Sequence, residues 1–462
     1  KIDKEKKKLQ IKNKATGEIY IENYDKLVLS PGAEPINPFK GVKSDRIFTI
    51  RNVKDAEKVK TFIENNNPKS AVIVGGGYIG VEMAENLSEY TMEVSIVEKA
   101  PHLISIIDND MAHFIHKEIK KHGVKVYVNE GVNKIEEHEK LLLTLDNGKI
   151  ETDLVILCIG VRPETNLAEE SGINTNEKGA IIVNNKMQTS NKDIYALGDA
   201  VEVKNTITGE RNGIALAGPA NRQARIVANN INGIESSYEG FIGSSILKIF
   251  NYSLGIVGLS ERACKNLDIP YKIMIISPYS HATYYPGAKM LTIKAIYNSK
   301  TSQILGAYVW GKSSVDKITD ILSVAIQNKM GAADISALEL CYAPPYSSAK
   351  SPVNILGNAI ENEMNELVDT IAVEELKNKE NLYILDVRTI EEYNISHIEG
   401  AINIPLDELR ENIEKLDKSK EIIVHCHSGL RSYLACRILK QKGYNVKNLI
   451  GGYIMYDIMK NK

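Results

Sequence analysis

The chain has 462 residues, and its 57 basic and 59 acidic side chains give a formal net charge of −2. This near-balance provides no overall electrostatic attraction for nucleic acid or for a membrane surface. No apolar run approaches the roughly 20 residues that a membrane span needs. The length predicts about three domains.

The five cysteines are scattered and form no CxxC pair. This pattern argues against a disulfide scaffold or a zinc site and favours the reducing cytoplasm. The first ten residues lack the apolar segment of a signal peptide. Because the chain begins with lysine rather than methionine, we expect a fragment or a processed chain.

The first segment is predicted to be β-structure. Lys8–Lys12 and Glu18–Glu22 flank a hairpin-like turn at residues 15–17. Tyr24–Leu29 is a further strand, closed by Ser-Pro-Gly-Ala at residues 30–33. A polar helix is expected at 53–66.

The stretch 71–98 has the pattern of a nucleotide-binding βαβ unit. A buried strand, a GxGxxG motif, a helix, a second strand and an acidic residue follow one another, at Ala71–Val74, Gly75–Gly80, Val81–Tyr90, Val94–Val97 and Glu98. The alternative is a glycine-rich turn between strand and helix that binds no ligand.

Each part of this motif has a physical role. Gly75 makes the tight turn, Gly77 lets the backbone approach a pyrophosphate, and Gly80 lets the helix pack on the strand. The N-terminus of the helix offers N–H groups and a positive dipole end to the phosphates. Glu98 accepts hydrogen bonds from a ribose diol, which favours NADH, whereas the neighbouring Lys99 leaves NADPH open. The predicted nucleotide contacts are Gly75, Gly77, Tyr78, Ile79, Gly80 and Glu98.

Further elements complete this half of the chain. We expect a helix at Asp110–His122, a strand pair around Val124–Val128 and Leu141–Leu145, and a buried strand at Leu154–Gly160. Another strand stops at Gly198-Asp199, which places a carboxylate at the edge of a sheet where ligands bind. Asp199 is therefore expected to hold a ribityl or ribose hydroxyl, with the N-cap of a helix near 217–230 as the alternative.

Residues 246–360 change to an α+β pattern. Short strands are expected at 246–250, 253–258, 271–277, 290–297 and 304–310, and helices at 315–328 and 353–363. Two unusual loops, Ser280–Gly287 and Cys341–Lys350, lie in this block. Residues 361–370 are acidic and are predicted to be a linker. Residues 371–462 then show their own βα alternation, with one strand ending at Asp386-Val-Arg388 and another ending at Cys426.

Four pieces of the sequence resemble the flavin-dependent pyridine nucleotide–disulfide oxidoreductases. They are Ser30–Ala33, Gly75–Gly80, Cys158–Pro163 and Ile194–Asp199. Within that family, the loops His281–Gly287 and Tyr342–Asn354 resemble those of coenzyme A-disulfide reductases. The resemblance implies FAD and NADH or NADPH as cofactors, coenzyme A as substrate or product, and a homodimer in which these loops reach the partner's active site.

The last domain resembles a rhodanese. The matching landmarks are Asp386–Arg388, Glu391–Tyr393, His397–Asn403 and Cys426–Ser432. Fusion of a coenzyme A-disulfide reductase to a rhodanese is an arrangement that resembles the coenzyme A-persulfide and polysulfide reductases.

The resemblance implies an α/β fold with two dinucleotide-binding domains, of which the FAD half is incomplete, followed by an α+β dimerisation domain and an α/β rhodanese domain. The expected boundaries are 1–45 and 165–245 for the partial FAD-binding domain, 46–164 for the NAD(P)-binding domain, 246–360 for the dimerisation domain, 361–370 for the linker and 371–462 for the rhodanese. The FAD contacts implied are Ala33, Gly160, Gly198 and Asp199. The family's earlier GxGxxG and its redox-active cysteine have no counterpart in this sequence, so that cysteine is not assigned.

Cys426 is the predicted sulfur carrier. The N–H groups of its loop and a helix N-terminus form an anion cradle that would lower the thiol pKa and stabilise a persulfide. Arg431 is expected to meet an anionic sulfur donor with its guanidinium fork. In relatives, a loop of this length suits sulfur and a loop one residue longer accommodates phosphate. The alternatives are a buried structural cysteine and a phosphatase.

Other charged and sulfur-bearing side chains of this domain are interpreted structurally. Arg388 and Glu392 are expected to form a buried or half-buried ion pair. His425 and His427 are interpreted as packing or solvent-facing groups rather than catalytic ones, and Cys436 as buried rather than as a resolving thiol.

Tyr284 and Tyr342 are the candidate acids of the reductase, since a phenol can donate a hydrogen bond to a leaving thiolate. Tyr285 and Tyr346 are the rival tyrosines, and packing of aromatic loop anchors on prolines is the alternative. Two bases, Arg222 and Lys350, are candidates for binding coenzyme A phosphates, against an alternative as ordinary surface bases. Cys341, beside Tyr342, is interpreted as structural.

The sequence therefore predicts a cytoplasmic, homodimeric FAD-dependent NAD(P)H oxidoreductase. Its substrate would be coenzyme A disulfide or a coenzyme A persulfide or polysulfide, and its rhodanese would carry sulfane sulfur on Cys426. The alternatives are an oxygen-reducing NADH oxidase on the same scaffold, and a sulfurtransferase alone if this chain does not hold FAD. No nucleic-acid partner, membrane partner or metal is predicted.

Overall fold

The computed structural model describes residues 1–376 and 382–460. The chain divides into two compact units, the first formed by Lys1–Pro101 and Gly123–Gly243 and the second by His102–His122 and Ser244–Lys462. Among the described residues, no helix has both the length and the apolar character needed to cross a bilayer.

The first unit contains many short strands and few helices. Its strands are Ile2–Asp3, Lys8–Lys12, Ile19–Asn23, Leu27–Leu29, Ala33–Pro35, Ile47–Thr49, Ser70–Val74, Glu93–Glu98, Lys125–Val128, Val132–Glu137, Leu141–Leu145, Gly148–Thr152, Leu154–Leu157, Val161–Pro163, Ile181–Ile182, Ile194–Ala196, Val201–Lys204 and Arg211–Gly213. Its α-helices are Val53–Asn66, Tyr78–Ser88, Asn166–Glu170 and Ala217–Ile231, and Gly198–Ala200 forms a 3₁₀ turn.

A five-stranded parallel sheet is the centre of the predicted nucleotide unit. Its strands lie in the order Ile47–Thr49, Leu154–Leu157, Ser70–Val74, Glu93–Glu98 and Lys125–Val128. The central strands are continuous apolar runs buried on both faces, as parallel sheets require. The predicted strands here are confirmed, and the glycine motif and Glu98 lie at the carboxyl ends of two adjacent strands, where ligands bind in such sheets.

Two details of the first unit differ from the sequence-based expectation. The hairpin of Lys8–Lys12 with Ile19–Asn23 is confirmed. The expected pair of strands around 124–128 and 141–145 is wrong, because Lys125–Val128 joins the parallel sheet while Leu141–Leu145 pairs with Val132–Glu137 and Gly148–Thr152. Both are apolar strands, and only the tertiary arrangement decides which partner each one takes.

The second unit combines helices with two sheets. Its α-helices are Asn109–Lys121, Glu261–Asn266, Val315–Gln327, Ala332–Ser336, Pro352–Met364, Val373–Leu376, Ile390–Ile395, Leu430–Gln441 and Gly452–Lys460. Its strands are Ser245–Ile249, Tyr252–Gly258, Tyr271–Ile276, Leu291–Asn298, Ile304–Gly311, Asp369–Ile371, Tyr383–Asp386, Ile402–Asn403, Ile422–His425 and Val446–Leu449, with 3₁₀ turns at Leu406–Glu408 and Ile413–Lys415.

The block after residue 244 is built on a five-stranded antiparallel sheet, which confirms the expected α+β character. Its two central strands, Leu291–Asn298 and Ile304–Gly311, are almost wholly buried. The side chain of Lys294 is fully buried in this core, and its ammonium contacts the carboxylates of Asp108, Asp110 and Glu261. A buried charge of this kind is tolerated only when it is paired.

The last domain has a five-stranded parallel sheet. The strands lie in the order Asp369–Ile371, Val446–Leu449, Ile422–His425, Tyr383–Asp386 and Ile402–Asn403. This arrangement brings the carboxyl ends of the two strands that carry the sequence landmarks side by side. Upstream, the stretch expected to be a linker contains the end of the helix Pro352–Met364 and the start of the strand at Asp369.

Candidate functional site

The glycine motif forms the tight turn that its spacing predicts. Gly75 has a φ of +105°, and a Cβ at this position would lie 2.4 Å from the carbonyl oxygen of Cys158. A Cβ at Gly80 would lie 2.0 Å from the carbonyl oxygen of Gly75, whereas a Cβ at Gly77 meets no heavy atom within 4 Å. Gly75 and Gly80 are thus required by close backbone packing, and Gly77 leaves open space where a pyrophosphate could approach.

The helix Tyr78–Ser88 starts at this turn. Gly77 is its N-cap and supplies no side-chain hydrogen bond to the first helical N–H groups. Since a glycine cannot cap with a side chain, a bound anion is a suitable partner for this helix N-terminus. Tyr78, Ile79 and Gly80, which are predicted nucleotide contacts, form the first helical turn.

Glu98 is anchored to the same turn. Its two carboxylate oxygens accept hydrogen bonds from the backbone N–H groups of Gly76 and Ala100, each at 2.6 Å. These bonds, which no sequence pattern predicted, fix the carboxylate at the carboxyl end of the second strand. Lys99, in contrast, is exposed. The half-buried Glu98 remains the predicted partner of the ribose.

The residues expected to contact FAD come together around an arginine that the sequence analysis missed. Ala33–Pro35 pairs with Val161–Pro163, directly after Gly160. The guanidinium of Arg51 donates to the carbonyl oxygen of Ala33 at 3.1 Å and forms an ion pair with Asp199. Asp199 and Arg51 are 148 positions apart, so no local pattern reveals the pair.

Asp199 lies in the 3₁₀ turn that follows the strand Ile194–Ala196. The alternative role as a helix N-cap is wrong, because the helix Ala217–Ile231 has Leu216 at that position. Gly198 has a φ of +81°, and a Cβ there would meet only the Cβ of Ala220, at 4.0 Å. This open corner with a carboxylate fits the ribityl or phosphate region of a flavin nucleotide.

The loop after the strand Ile422–His425 surrounds the sulfur of Cys426. The Sγ atom accepts hydrogen bonds from the backbone N–H of Gly429 at 3.1 Å and from the hydroxyl of Ser432 at 3.4 Å. Gly429 has a φ of +109° and is the N-cap of the helix Leu430–Gln441, without a side-chain cap. One backbone N–H and one hydroxyl of this loop are therefore directed at the protein's own sulfur, and the fuller cradle stays a prediction.

A second helix holds this loop in place. The backbone N–H groups of Tyr453 and Ile454 donate to the carbonyl oxygens of Cys426 and His427, at 2.8 and 3.1 Å. A Cβ at Gly452 would lie 2.7 Å from the Cys426 carbonyl oxygen. This support was not predicted from the sequence, although the glycine pair at 451–452 is a signal that another segment approaches the backbone closely.

The ion pairs of this domain differ from the prediction. The predicted pair between Arg388 and Glu392 is wrong. Arg388 is buried and bonds to Asp386, with Nη2 2.6 Å from Oδ2, and its guanidinium lies 4.1 Å from the ring centre of Tyr453. The carboxylate of Glu392 instead accepts hydrogen bonds from both terminal nitrogens of Arg431, at 2.6 and 2.7 Å. The N–H···O bond from Arg431 is the main reason that the pKa of Glu392 is lowered to about 2.

The two histidines beside Cys426 are uncharged at neutral pH. Burial lowers the pKa of His425 to about 4, although Asp386, 3.5 Å from its Nε2, opposes the shift. Burial also lowers the pKa of His427. Cys436 is fully buried as expected, and burial raises its pKa far above the ordinary range of thiols.

Tyr284 and Tyr342 meet, although 58 positions separate them. Their hydroxyl oxygens are 2.7 Å apart, and both side chains are exposed. The hydrogen bond with Tyr342 raises the pKa of Tyr284, so this phenol keeps its proton at neutral pH. Among the rivals, Tyr285 packs edge-on against His281, and Tyr346 is exposed.

The remaining candidates lie on surfaces. Arg222 is exposed and lies 5.8 Å from the ring centre of Tyr238. Lys350 is exposed, as is Cys341, so Cys341 is not a packing residue of the core. Burial raises the pKa of Cys158 to about 12 and raises that of Cys264 as well, so neither thiol ionises at neutral pH.

Comparison with known proteins identifies this architecture. Three family models match in order: pyridine nucleotide-disulphide oxidoreductase over residues 1–224, its dimerisation domain over 244–352, and a rhodanese-like domain over 370–456. The coenzyme A disulfide reductase of Staphylococcus aureus (strain NCTC 8325 / PS 47) is 34% identical over 358 residues, which cover 77% of this chain and 80% of the relative. The chain belongs to the pyridine nucleotide-disulphide oxidoreductase family, whose members use FAD and NAD(P)H.

Two solved structures share the whole layout, including the rhodanese-like domain. The reduced CoADR-RHD of Bacillus anthracis is 43% identical with a TM-score of 0.94, covering 99% of this chain and 83% of its own. A NAD-dependent persulfide reductase from A. fulgidus is 34% identical with a TM-score of 0.93, covering 98% and 84%. The fold class expected from the sequence is confirmed.

Proposed function

We propose that this chain is an FAD-dependent NAD(P)H oxidoreductase that reduces coenzyme A disulfide or a coenzyme A persulfide, with a sulfurtransferase site at Cys426. The observation that carries the proposal is the Cys426 loop, whose backbone N–H and serine hydroxyl are aimed at the sulfur in a chain that also carries a nucleotide turn. The relatives at 34 to 43% identity are named for disulfide and persulfide reduction, which favours this function over oxygen reduction.

The nucleotide sites fit their cofactors. The open space at Gly77 and the anchored Glu98 suit the pyrophosphate and ribose of NADH, and the corner at Gly198 and Asp199, with Ala33 and Gly160 beside it, suits FAD. When bound, these two groups supply hydride and electron transfer. The protein's own part is to hold them and to shape the site.

The cradle stabilises negative charge on sulfur. A Cys426 thiolate attacks the sulfane sulfur of a persulfide R–S–SH. The S–S bond of the donor breaks, a new S–S bond forms on Cys426, and R–S⁻ leaves with the electron pair. The N–H of Gly429 is placed to stabilise the anionic sulfur before and after this step.

The tyrosine pair is proposed to serve the reductase. A protonated phenol at Tyr284 or Tyr342 can donate a hydrogen bond to a departing thiolate. We propose that Arg222 and Lys350, both exposed, bind phosphates of coenzyme A. We also propose that the dimerisation domain forms a homodimer. All five cysteines are free, which suits a cytoplasmic protein.

The experiment separates the two activities. Purified protein should show flavin absorbance at about 450 nm and should oxidise NADH when coenzyme A disulfide or persulfide is added. Cys426→Ser should abolish sulfur transfer to cyanide and leave NADH binding intact. Cys341→Ser is the matched control, since it removes an exposed thiol.

Three outcomes would contradict parts of the proposal. A colourless protein with sulfurtransferase activity would rule out the reductase. Undiminished sulfur transfer in Cys426→Ser would rule out the role of this cysteine. Rapid oxygen uptake with NADH alone, unaffected by coenzyme A compounds, would favour the NADH oxidase.

A further inference from the structure

The charges around Cys426 balance one another. Arg431, the cation expected to attract an anionic donor, has its guanidinium fork occupied by both oxygens of Glu392. Arg388 is likewise paired with Asp386. Each of these two arginines is therefore paired with a carboxylate, and the two pairs contribute no net charge to the site.

The histidines do not alter that balance. Burial lowers the pKa values of His425 and His427, so both rings are neutral at physiological pH. The remaining attraction for an anion comes from the loop's backbone N–H groups, and that of Gly429 is already directed at the sulfur of Cys426. This donor is therefore already engaged by the protein's own sulfur.

We propose that Glu392 determines the donor specificity of the sulfurtransferase site, by occupying Arg431 and so favouring persulfides, whose reacting end carries at most one charge, over the thiosulfate dianion. This inference rests on the proposed function of Cys426. Thiosulfate must bring two negative charges to the loop, and it can use the fork of Arg431 only by displacing Glu392. A persulfide whose reacting end carries at most one charge has no such need.

The reaction with thiosulfate is chemically the same transfer. The Cys426 thiolate attacks the outer sulfur, the S–S bond of thiosulfate breaks, and sulfite leaves with the electron pair while Cys426 gains the sulfane sulfur. Cyanide then takes this sulfur as thiocyanate and restores the thiolate. The two donors differ in the charge of the end that enters the loop, so the comparison of their rates reports on electrostatics at Cys426.

Glu392→Gln is the informative variant. The capping box of the helix Ile390–Ile395 uses a side-chain oxygen of Glu392, which accepts from the N–H of Thr389 at 3.0 Å. Glutamine keeps an oxygen acceptor for this bond and suits a capping box. The substitution therefore removes the charge and frees Arg431 without removing the local helix signal. Glu391→Gln, next to it on the same helix, is the matched control for the loss of one charge.

The assay measures thiocyanate formation by the full chain with thiosulfate or with coenzyme A persulfide as donor. In Glu392→Gln, kcat/KM for thiosulfate should rise about tenfold, as expected for two newly available charge-assisted hydrogen bonds. The value for the persulfide should change by no more than about twofold. Adding Arg431→Ala to Glu392→Gln should remove the gain, and Glu391→Gln should leave both donors unaffected.

The results distinguish this inference from the underlying function. A fall or no change in thiosulfate kcat/KM for a folded Glu392→Gln protein would overturn the specificity role and leave the function of Cys426 standing. An equal rise for both donors would also overturn it, because the effect would not depend on donor charge. If Cys426→Ser retains transfer from both donors, the proposed function itself fails.

Discussion

Replacement of Lys294 by methionine tests whether the buried charge cluster stabilises the second unit. Lys294 is fully buried, and its Nζ lies 2.8 and 2.7 Å from the two oxygens of Asp110 and 3.2 Å from Asp108. It also contacts Glu261. The variant keeps most of the side-chain volume and removes the ammonium, leaving the 2% exposed Asp110 without this cation.

The expected loss is large because one partner of a buried pair is removed. Such changes cost about 3 to 5 kcal/mol, since the remaining charge is left uncompensated. For a unit of this size, that corresponds to a drop in melting temperature of about 6 to 20 °C. Burial alone would lower the pKa of Lys294, but Asp110, Asp108 and Glu261 outweigh it and raise the pKa. The stabilisation of the fold by this charged lysine is therefore complete at pH values below 10.5, the ordinary pKa of lysine, and is lost only as the pH rises beyond it.

The assay is scanning calorimetry of the full chain at about pH 7.5, well below the pKa of lysine. Lys300→Met, in the exposed turn after the same strand, is the matched control and should shift the melting temperature by no more than about 2 °C. The double variant Lys294→Met/Asp110→Asn should be less destabilised than the sum of the single variants. A melting temperature for Lys294→Met equal to that of the control would refute the reasoning.

Three further predictions concern the candidate sites. Gly75→Ala should weaken NADH binding at least about tenfold in a fluorescence titration, because φ is +105° and the new methyl group would lie 2.4 Å from the Cys158 carbonyl oxygen; unchanged affinity would contradict the turn's role. Tyr284→Phe should lower kcat for coenzyme A disulfide reduction by about 100-fold, whereas Tyr346→Phe should not, and equal effects would reassign the acid. The pKa of His425 is lowered to about 4, so the folded protein binds fewer protons at this ring than the unfolded chain does. The contribution of His425 to the free energy of unfolding is therefore complete above about pH 6.5, and it falls by about 2 to 3 kcal/mol as the pH drops to about 4.5. His425→Asn should show a smaller difference in melting temperature between these two pH values, and an equal difference would contradict the assigned shift.

The strands and turns that were predicted correctly from the sequence are those determined by local residue patterns. The strand Ser70–Val74 and the turn at Gly75 follow from an apolar run that ends in glycines, because no side chain other than hydrogen fits beside the Cys158 carbonyl. The strand Ile422–His425 with Cys426 at its end follows from the same kind of signal. In each case the determinant lies within a few residues of the feature that it predicts.

Charge partners were predicted poorly because they depend on the tertiary arrangement. The sequence-based expectation paired Arg388 with Glu392, yet Arg388 bonds to Asp386, two positions away, and stacks on Tyr453 from another helix. Glu392 is thereby left for Arg431, 39 positions further on. The sequence shows the charges and their approximate neighbourhoods, but the choice among partners is made by which strand ends lie side by side.

The position of Lys294 in its strand is a sequence signal of a buried ion pair. The strand Leu291–Asn298 is buried on both faces, and a lysine within it cannot reach solvent. A charged residue in such a run predicts a buried partner of opposite charge. The identity of that partner could not be read from the sequence, because Asp110 lies 184 positions away.

The two candidate sites use one physical device for different purposes. In each, a buried parallel strand ends in a turn, and a glycine without side-chain capping ability begins the next helix, Gly77 in one case and Gly429 in the other. Both helix N-termini therefore favour an anion. At Gly77 the adjacent space is open, although the neighbouring Gly76 N–H bonds to the Glu98 carboxylate, and this space is the proposed position of a ligand phosphate. At Gly429 the N–H already meets the sulfur of Cys426, and our proposal for donor specificity follows from this occupied donor. On this proposal, the residue at the end of the strand, glycine or cysteine, separates a turn that binds a phosphate from a turn that carries sulfur.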